Sequence, residues 1–154
     1  MTTLARSLLR DRDDADDVVE ESLVRIHDKA PGFRGERGLK TWTLRIVANK
    51  CRDRLRRRRF SAGAPEDLDP LSSAGLTVDP VAEWDEAMDR ARLLARLERA
   101  IGELPLEQRE AVLLRDRLGL SYEEAAETLG ISLSSLKSKL HRARETLKRR
   151  VLSE

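Results

Sequence analysis

The segment 118–150, LGLSYEEAAETLGISLSSLKSKLHRARETLKRR, joins two helical periods at a glycine and ends in a basic run. Ser121 is placed to cap the first helix through its hydroxyl, and Glu124, three residues on, completes a capping box. Tyr122, Ala125, Ala126 and Leu129 follow at i, i+3, i+4 and i+7, one face of a helix, leaving Glu123, Glu124 and Glu127 to water. Gly130 can take the left-handed conformation that ends such a helix, Ile131 plugs the corner, and Ser132 caps the next one. In that second helix Leu136, Leu140, Ala143, Leu147 and Val151 form the buried stripe. Ser134, Ser138, His141 and Arg142 then point outward, flanked by Lys137 and Lys139. The pattern is that of a helix-turn-helix.

A helix that reads duplex DNA from the major groove needs short hydroxyls and bidentate cations near its N-terminus for base edges, and further cations for phosphates. Lys137, Lys139 and Arg142 suit both tasks. The ordinary alternative is an amphipathic helix with a solvated basic face. The cap, the pair of alanines in the first helix and the glycine corner favour DNA contact.

Composition sets the frame around this motif. Only 3% of residues are aromatic and 38% are charged, which suits small helical bundles better than sheets. The net charge of +2 conceals a segregation along the chain. Residues 1–60 carry 16 Lys/Arg against 10 Asp/Glu, residues 61–89 carry 8 acids and no base, and residues 90–154 carry 14 against 10. Two basic units are separated by a purely acidic segment. Its stretch SAGAPEDLDPLSSAGLTVDP has three prolines, two glycines and no helical period, and reads as a linker over 61–82. It serves either as a tether or as a negatively charged mimic of nucleic acid. Cys51 is the one cysteine, so no internal disulfide forms, and with His27 and His141 far apart no metal site is expected. No run approaches the ~20 apolar residues of a membrane span, and the N-terminus lacks a signal core. The expected setting is cytoplasmic, with no cofactor. No Ser-His-Asp set, metal cluster or phosphate-cradling glycine loop marks an enzyme.

Two helices of different chemistry precede the acidic segment. The first, about 14–29, places Val19, Leu23 and Ile26 on one face and crowds Asp13, Asp14, Asp16, Asp17, Glu20 and Glu21 into its first turns. Acids there favour the helix dipole, but six in nine residues exceed what capping requires, and a basic protein partner is the functional alternative. The second, about 39–59, has a core stripe of Leu44, Val47, Ala48, Cys51 and Leu55, which makes Cys51 a packed thiol. Trp42, Ile46, Asn49 and Asp53 fall on its other side, either sandwiched or offered to something that stacks. The helix runs into Arg56, Arg57, Arg58 and Arg59, either a phosphate-neutralising cluster or a solvated end. The glycines and cations of the loop 33–41, FRGERGLKT, suit close approach to a nucleic-acid backbone or an extruded base.

In this order, DADDVVEESLVRIHD, FRGERGLKTWTLRIVANKCRDRLRRRR, an acidic linker, the helix ELPLEQREAVLLRDRLGLS and LSYEEAAETLGISLSSLKSKLHRARE, the chain resembles bacterial RNA polymerase sigma factors of the extracytoplasmic-function group over residues 5–150. The resemblance implies an all-α fold of two small helical domains, 1–60 and 83–154, joined by the 61–82 linker. It implies promoter-directed initiation with core RNA polymerase and promoter DNA as partners, an anti-sigma factor as a third, and no catalysis of its own. Asp16, Asp17, Glu20 and Glu21 fall where the family docks on the polymerase clamp helices. Phe33, Arg34, Leu39, Lys40, Trp42, Asn49 and Arg56 fall where it opens the minus-ten element and holds an unstacked base. Ser134, Ser135, Lys137, Ser138, Lys139, His141 and Arg142 fall where it reads the minus-thirty-five element as duplex. The linker threads toward the polymerase active-site and RNA-exit channels.

Two departures from the family pattern shape the expectations. Family members usually begin with a further helix before the one that here starts near Leu4, so the first domain is short of a helix: either the start is truncated or misassigned, or another surface completes the domain. An aromatic often stands where this sequence has Leu39, so base capture rests on Phe33, Trp42 or the backbone. The alternatives from other classes are a stand-alone helix-turn-helix regulator of duplex operators, which needs neither the acidic helix nor the loop-plus-Trp element, and an interaction module that sequesters an anti-sigma factor.

Overall fold

The computed structural model describes residues 1–35, 38–62 and 86–152, and among these the backbone is helical with short connections and no strand. Helix α1, Thr2–Leu9, buries Leu4, Ala5, Leu8 and Leu9 and ends on Arg10, whose φ of 59° turns the chain. Asp11 then caps α2, Arg12–Lys29, its carboxylate accepting the Asp14 N–H at 3.0 Å. That bond, with Arg58 beside it, holds the Asp11 carboxyl below its ordinary range. A 3₁₀ turn, Ala30–Gly32, carries Pro31 and closes α2.

The periodicity expects Val19, Leu23 and Ile26 to face the core of α2, but the helix is rotated from that expectation. Ala15, Val18 and Ser22 are buried, Val19 packs at the edge of the core, and Leu23 is 47% exposed. Small residues allow α1 and α3 to approach α2 closely. Ser22 satisfies its hydroxyl on the Val18 carbonyl at 2.6 Å, so the polar residue costs little there.

Helix α3, Leu39–Ala62, buries Leu44, Val47, Ala48 and Cys51, with Leu55 packed against them. This is the stripe expected from sequence. Cys51 is fully buried and desolvation pushes its thiol up to about 12, so it fills space and is not a nucleophile. Helix α3 runs through Ala62, and the rest of the acidic segment expected as a linker over 61–82 lies outside the described residues.

The C-terminal half comprises α4 (Glu86–Gly102), α5 (Leu106–Val112), a π turn (Leu113–Arg117), α6 (Tyr122–Leu129) and α7 (Leu133–Leu152). Residues 103–121 are expected to carry a single helix. Instead α5 begins after Pro105 and widens at its end, where the Leu118 N–H reaches back five residues to the Leu113 carbonyl at 2.9 Å.

One apolar cluster spans both halves, running from Leu4 and Leu8 of α1 through Leu104, Leu113 and Leu114 to Leu136 and Leu140 of α7. Each fully buried leucine is worth about 1.5–3 kcal/mol relative to exposure. Helix α1 packs on α5 and the π turn. Arg109 sits at that seam, 2% exposed, donating to the carbonyls of Leu8 (3.3 Å), Gly102 (2.6 Å) and Leu104 (3.0 Å). Arg10 adds a bond to the Gly102 carbonyl at 3.1 Å.

Candidate nucleic-acid interface

The motif at 118–150 is built locally as its residues dictate. Ser121 Oγ accepts the Glu124 N–H at 3.0 Å while the Glu124 carboxylate accepts the Ser121 N–H at 2.7 Å, which closes the capping box. Gly130, with φ of 69°, ends α6, and Ser132 Oγ accepts the Ser135 N–H at 3.2 Å to start α7. Leu136, Leu140, Ala143 and Leu147 are buried, with Val151 at the edge of the core. A network not evident from the sequence then fixes α7 on α6. The Arg115 guanidinium lies 4.8 Å from the centre of the Tyr122 ring, and Arg144 binds Asp116 at 2.6 and 3.1 Å. Hydrogen bonding from Arg144 draws the Tyr122 phenol below its ordinary pKa.

On this scaffold Ser134, Lys137, Ser138, His141 and Arg142 are exposed on the outer side of α7. None of Lys137, His141 and Arg142 makes an ion pair among the described residues, although Lys137 lies 5.9 Å from the Tyr122 ring. Ser135 and Lys139 stand apart from this group. Ser135 is half-buried at the first turn, and Lys139 is turned aside to pair with Glu107 of α5.

At the other end of the molecule, Phe33 and Trp42 meet with ring centres 4.7 Å apart and planes tilted by 31°. They line a cavity of about 480 Å³ with Asp28, Lys29, Gly32, Arg34 and Gly35. The structure therefore brings Phe33, Arg34 and Trp42 together. Leu39 is 60% exposed at the start of α3. The remaining minus-ten candidates are engaged elsewhere. Lys40 donates to the Leu118 carbonyl at 2.8 Å, Arg56 pairs with Asp53 at 2.8 Å, and Asn49 accepts from Arg52 at 3.3 Å. Arg52 in turn makes a two-bond pair with Glu110 of α5, at 2.7 and 3.0 Å. Glu110 is 2% exposed, and burial raises its pKa despite the opposing pull of Arg52. Periodicity carries no signal for this pair, because its members lie 58 positions apart.

The acids of α2 divide in the same way. Asp16 pairs with Arg6 at 3.0 Å. Glu21 accepts from Lys50 at 2.7 Å and Arg54 at 3.0 Å, and Lys50 holds its carboxyl below the ordinary range. Asp17 is 3.9 Å from Arg54 with its side chain 65% exposed, and Glu20 is exposed with no ion-pair partner among the described residues. Leu23 and Val24, next along the helix, are 47% and 63% exposed.

Comparison with known proteins follows this division. The sigma-70 region 2 family matches residues 1–61, and the sigma-70 region 4 family matches residues 94–147. The ECF RNA polymerase sigma factor SigM of Mycobacterium tuberculosis is 36% identical over 147 residues, covering 95% of this chain and 68% of the relative. The sigma factor CnrH of Cupriavidus metallidurans is 34% identical over 146 residues, covering 93% and 76%. Among solved structures, the sigma factor RpoE of Bartonella quintana, in complex with the anti-sigma factor NepR, superposes with a TM-score of 0.76 at 28% identity, over 99% of this chain and 89% of that one. CnrH in complex with the cytosolic domain of CnrY gives 0.65 at 27% identity, over 96% and 77%. Both families and these relatives align in the order in which the structure sets out its helices, and the chain belongs to the sigma-70 RNA polymerase sigma factors of the ECF group.

Proposed function

We propose that this sigma factor binds core RNA polymerase through the outer face of α2, reads the minus-thirty-five element with the outer face of α7, and holds an unstacked minus-ten base at the Phe33–Trp42 cavity. The observation that carries the reading is the exposed set Ser134, Lys137, Ser138, His141 and Arg142, whose three cationic or titratable members lack ion-pair partners among the described residues. A helix face that is polar, cationic and uncommitted suits base edges and phosphates. Of the four α2 acids in this reading, Glu20 makes no ion pair among the described residues and Asp17 makes only a long one, 3.9 Å to Arg54; with exposed Leu23 and Val24 beside them they suit a basic partner with an apolar contact. Asp16 and Glu21, already paired within the chain, play the smaller part. Of the seven minus-ten candidates, Phe33, Arg34 and Trp42 line the cavity, Leu39 is exposed at the start of α3, and Lys40, Asn49 and Arg56 become available only when their present bonds open.

The solved relative RpoE is bound to the anti-sigma factor NepR and CnrH to the cytosolic domain of CnrY, and a protein inhibitor of the anti-sigma class is the further partner proposed here. The chain acts through binding, without catalysis of its own, and no described helix is long and apolar enough to cross a membrane. In vitro transcription with purified core enzyme on promoter fragments tests the reading. The expected result is initiation at defined sites that requires both core enzyme and this chain. Specific DNA binding that is complete without core enzyme would favour an operator-binding regulator instead.

A further inference from the structure

Among the described residues Asp28 is the one acid lining the Phe33–Trp42 cavity, and its carboxylate is not committed to the fold. It lies in the last turn of α2, where the helix dipole disfavours a carboxylate. It is exposed and has no ion-pair partner among the described residues, although Lys29 and Arg34 line the same cavity. A phosphate backbone drawn to those cations would meet a like charge in Asp28. A carboxylate becomes favourable at such a place when it accepts a hydrogen bond from what enters. An unstacked base presents its pairing edge: adenine, cytosine and guanine each offer an exocyclic amine, whereas thymine offers one N–H between two carbonyl oxygens that repel a carboxylate.

We propose that Asp28 is a specificity-determining residue of the cavity, accepting a hydrogen bond from the amine of the captured base and so selecting an amino-bearing base against thymine. The inference rests on the assignment of this cavity to an unstacked base. The aromatic rings supply stacking that any base satisfies, Lys29 and Arg34 supply attraction to the backbone, and the carboxylate is the acceptor-only group among the described lining side chains.

The test uses holoenzyme and fork-junction promoter probes in which each non-template base of the minus-ten element is replaced in turn by thymine or by 2-aminopurine. With the natural chain, one position should quench 2-aminopurine on binding, and thymine at that position should weaken binding about tenfold. Asp28→Asn keeps the shape but presents a donor as well as an acceptor. It should reduce the penalty at that position to within about twofold, with discrimination elsewhere unchanged; Asp28→Ala should do the same, by weakening binding of the amino-bearing base. Quenching with an unchanged thymine penalty in Asp28→Asn would overturn the role of Asp28 and leave the cavity as a base site. Equally tighter binding to every probe would also overturn it, by showing that the carboxylate only repels phosphate. Absence of quenching at every position would remove the base-site assignment itself, and the inference with it.

Discussion

Helices α3 and α7 are both long, basic and amphipathic, yet they spend their cations in opposite ways. On α3, Lys50 and Arg54 bind Glu21, Arg52 binds Glu110, Arg56 binds Asp53 and Arg58 binds Asp11 and Asp14. On α7, Lys137 and Arg142 make no ion pair among the described residues, and pairing is confined to the flanks, Lys139 with Glu107, Arg144 with Asp116 and Arg150 with Glu103. Positive charge along a helix is therefore a poor guide to DNA contact. In α3 most of it fastens the helix to α2 and to the C-terminal half. In α7 the unpaired cations stand on the side opposite the buried stripe, where a duplex can reach them.

The largest effect should come from the seam between the two regions. Arg109→Ala leaves the Leu8 and Leu104 carbonyls without this buried donor and the Gly102 carbonyl with Arg10 alone, and should lower stability by about 3–5 kcal/mol in chemical denaturation. A loss under 1 kcal/mol would mean that the halves do not depend on each other. Next is the charge reversal Asp17→Lys with Glu20→Lys, which should weaken core polymerase binding about 100-fold by placing like charges at the contact. Reversing Asp16 alone should do less, since Arg6 already neutralises it, and equal losses from both in a pull-down would erase the distinction between the closely paired acid and the loosely paired or unpaired ones.

On α7, Arg142→Ala should cost about 1–3 kcal/mol of discrimination at one base of the minus-thirty-five element, measured by competition with substituted duplexes. The same change at Arg54 should affect stability and leave base preference intact. The smallest effect concerns pH. The Glu110 pKa is raised by burial, so its contribution to stability is complete below its ordinary value of 4.5 and is lost as pH rises through the raised one. Glu21 runs the other way: its depressed pKa contributes stability above 4.5 that is lost on acidification through the folded value, and its exposure keeps that contribution small. Denaturation curves of Glu110→Gln should therefore lack the decline above pH 4.5 that the natural chain shows, and an unaltered decline would assign it to another group.

Local features were legible in the residues themselves. The capping box of Ser121 and Glu124, the Gly130 turn, the Ser132 cap and the stripes of α3 and α7 each involve residues within a few positions of one another, where backbone geometry and side-chain chemistry leave few options. The rotation of α2 was not legible, because Ala15 and Ser22 win the core face through the close approach of α1 and α3, and periodicity weighs Leu23 without knowing its neighbours. The same limit applies to the minus-ten candidates: residue type nominated seven, and the fold gathered three around one cavity and added Asp28 to it.

The helix-turn-helix with its caps, the buried faces of α3 and α7 and the family followed from sequence alone, since each rests on short-range periodicity or on a run of motifs; helix α4, the Asp11 cap and the break of 103–121 into α5 and a π turn did not. Which charges are spent inside the molecule and which are left for partners was decided only by tertiary packing. Ion pairs such as Arg52 with Glu110 join side chains 58 positions apart, and their formation depends on how two helices meet and how much water is excluded there, quantities no single helix carries.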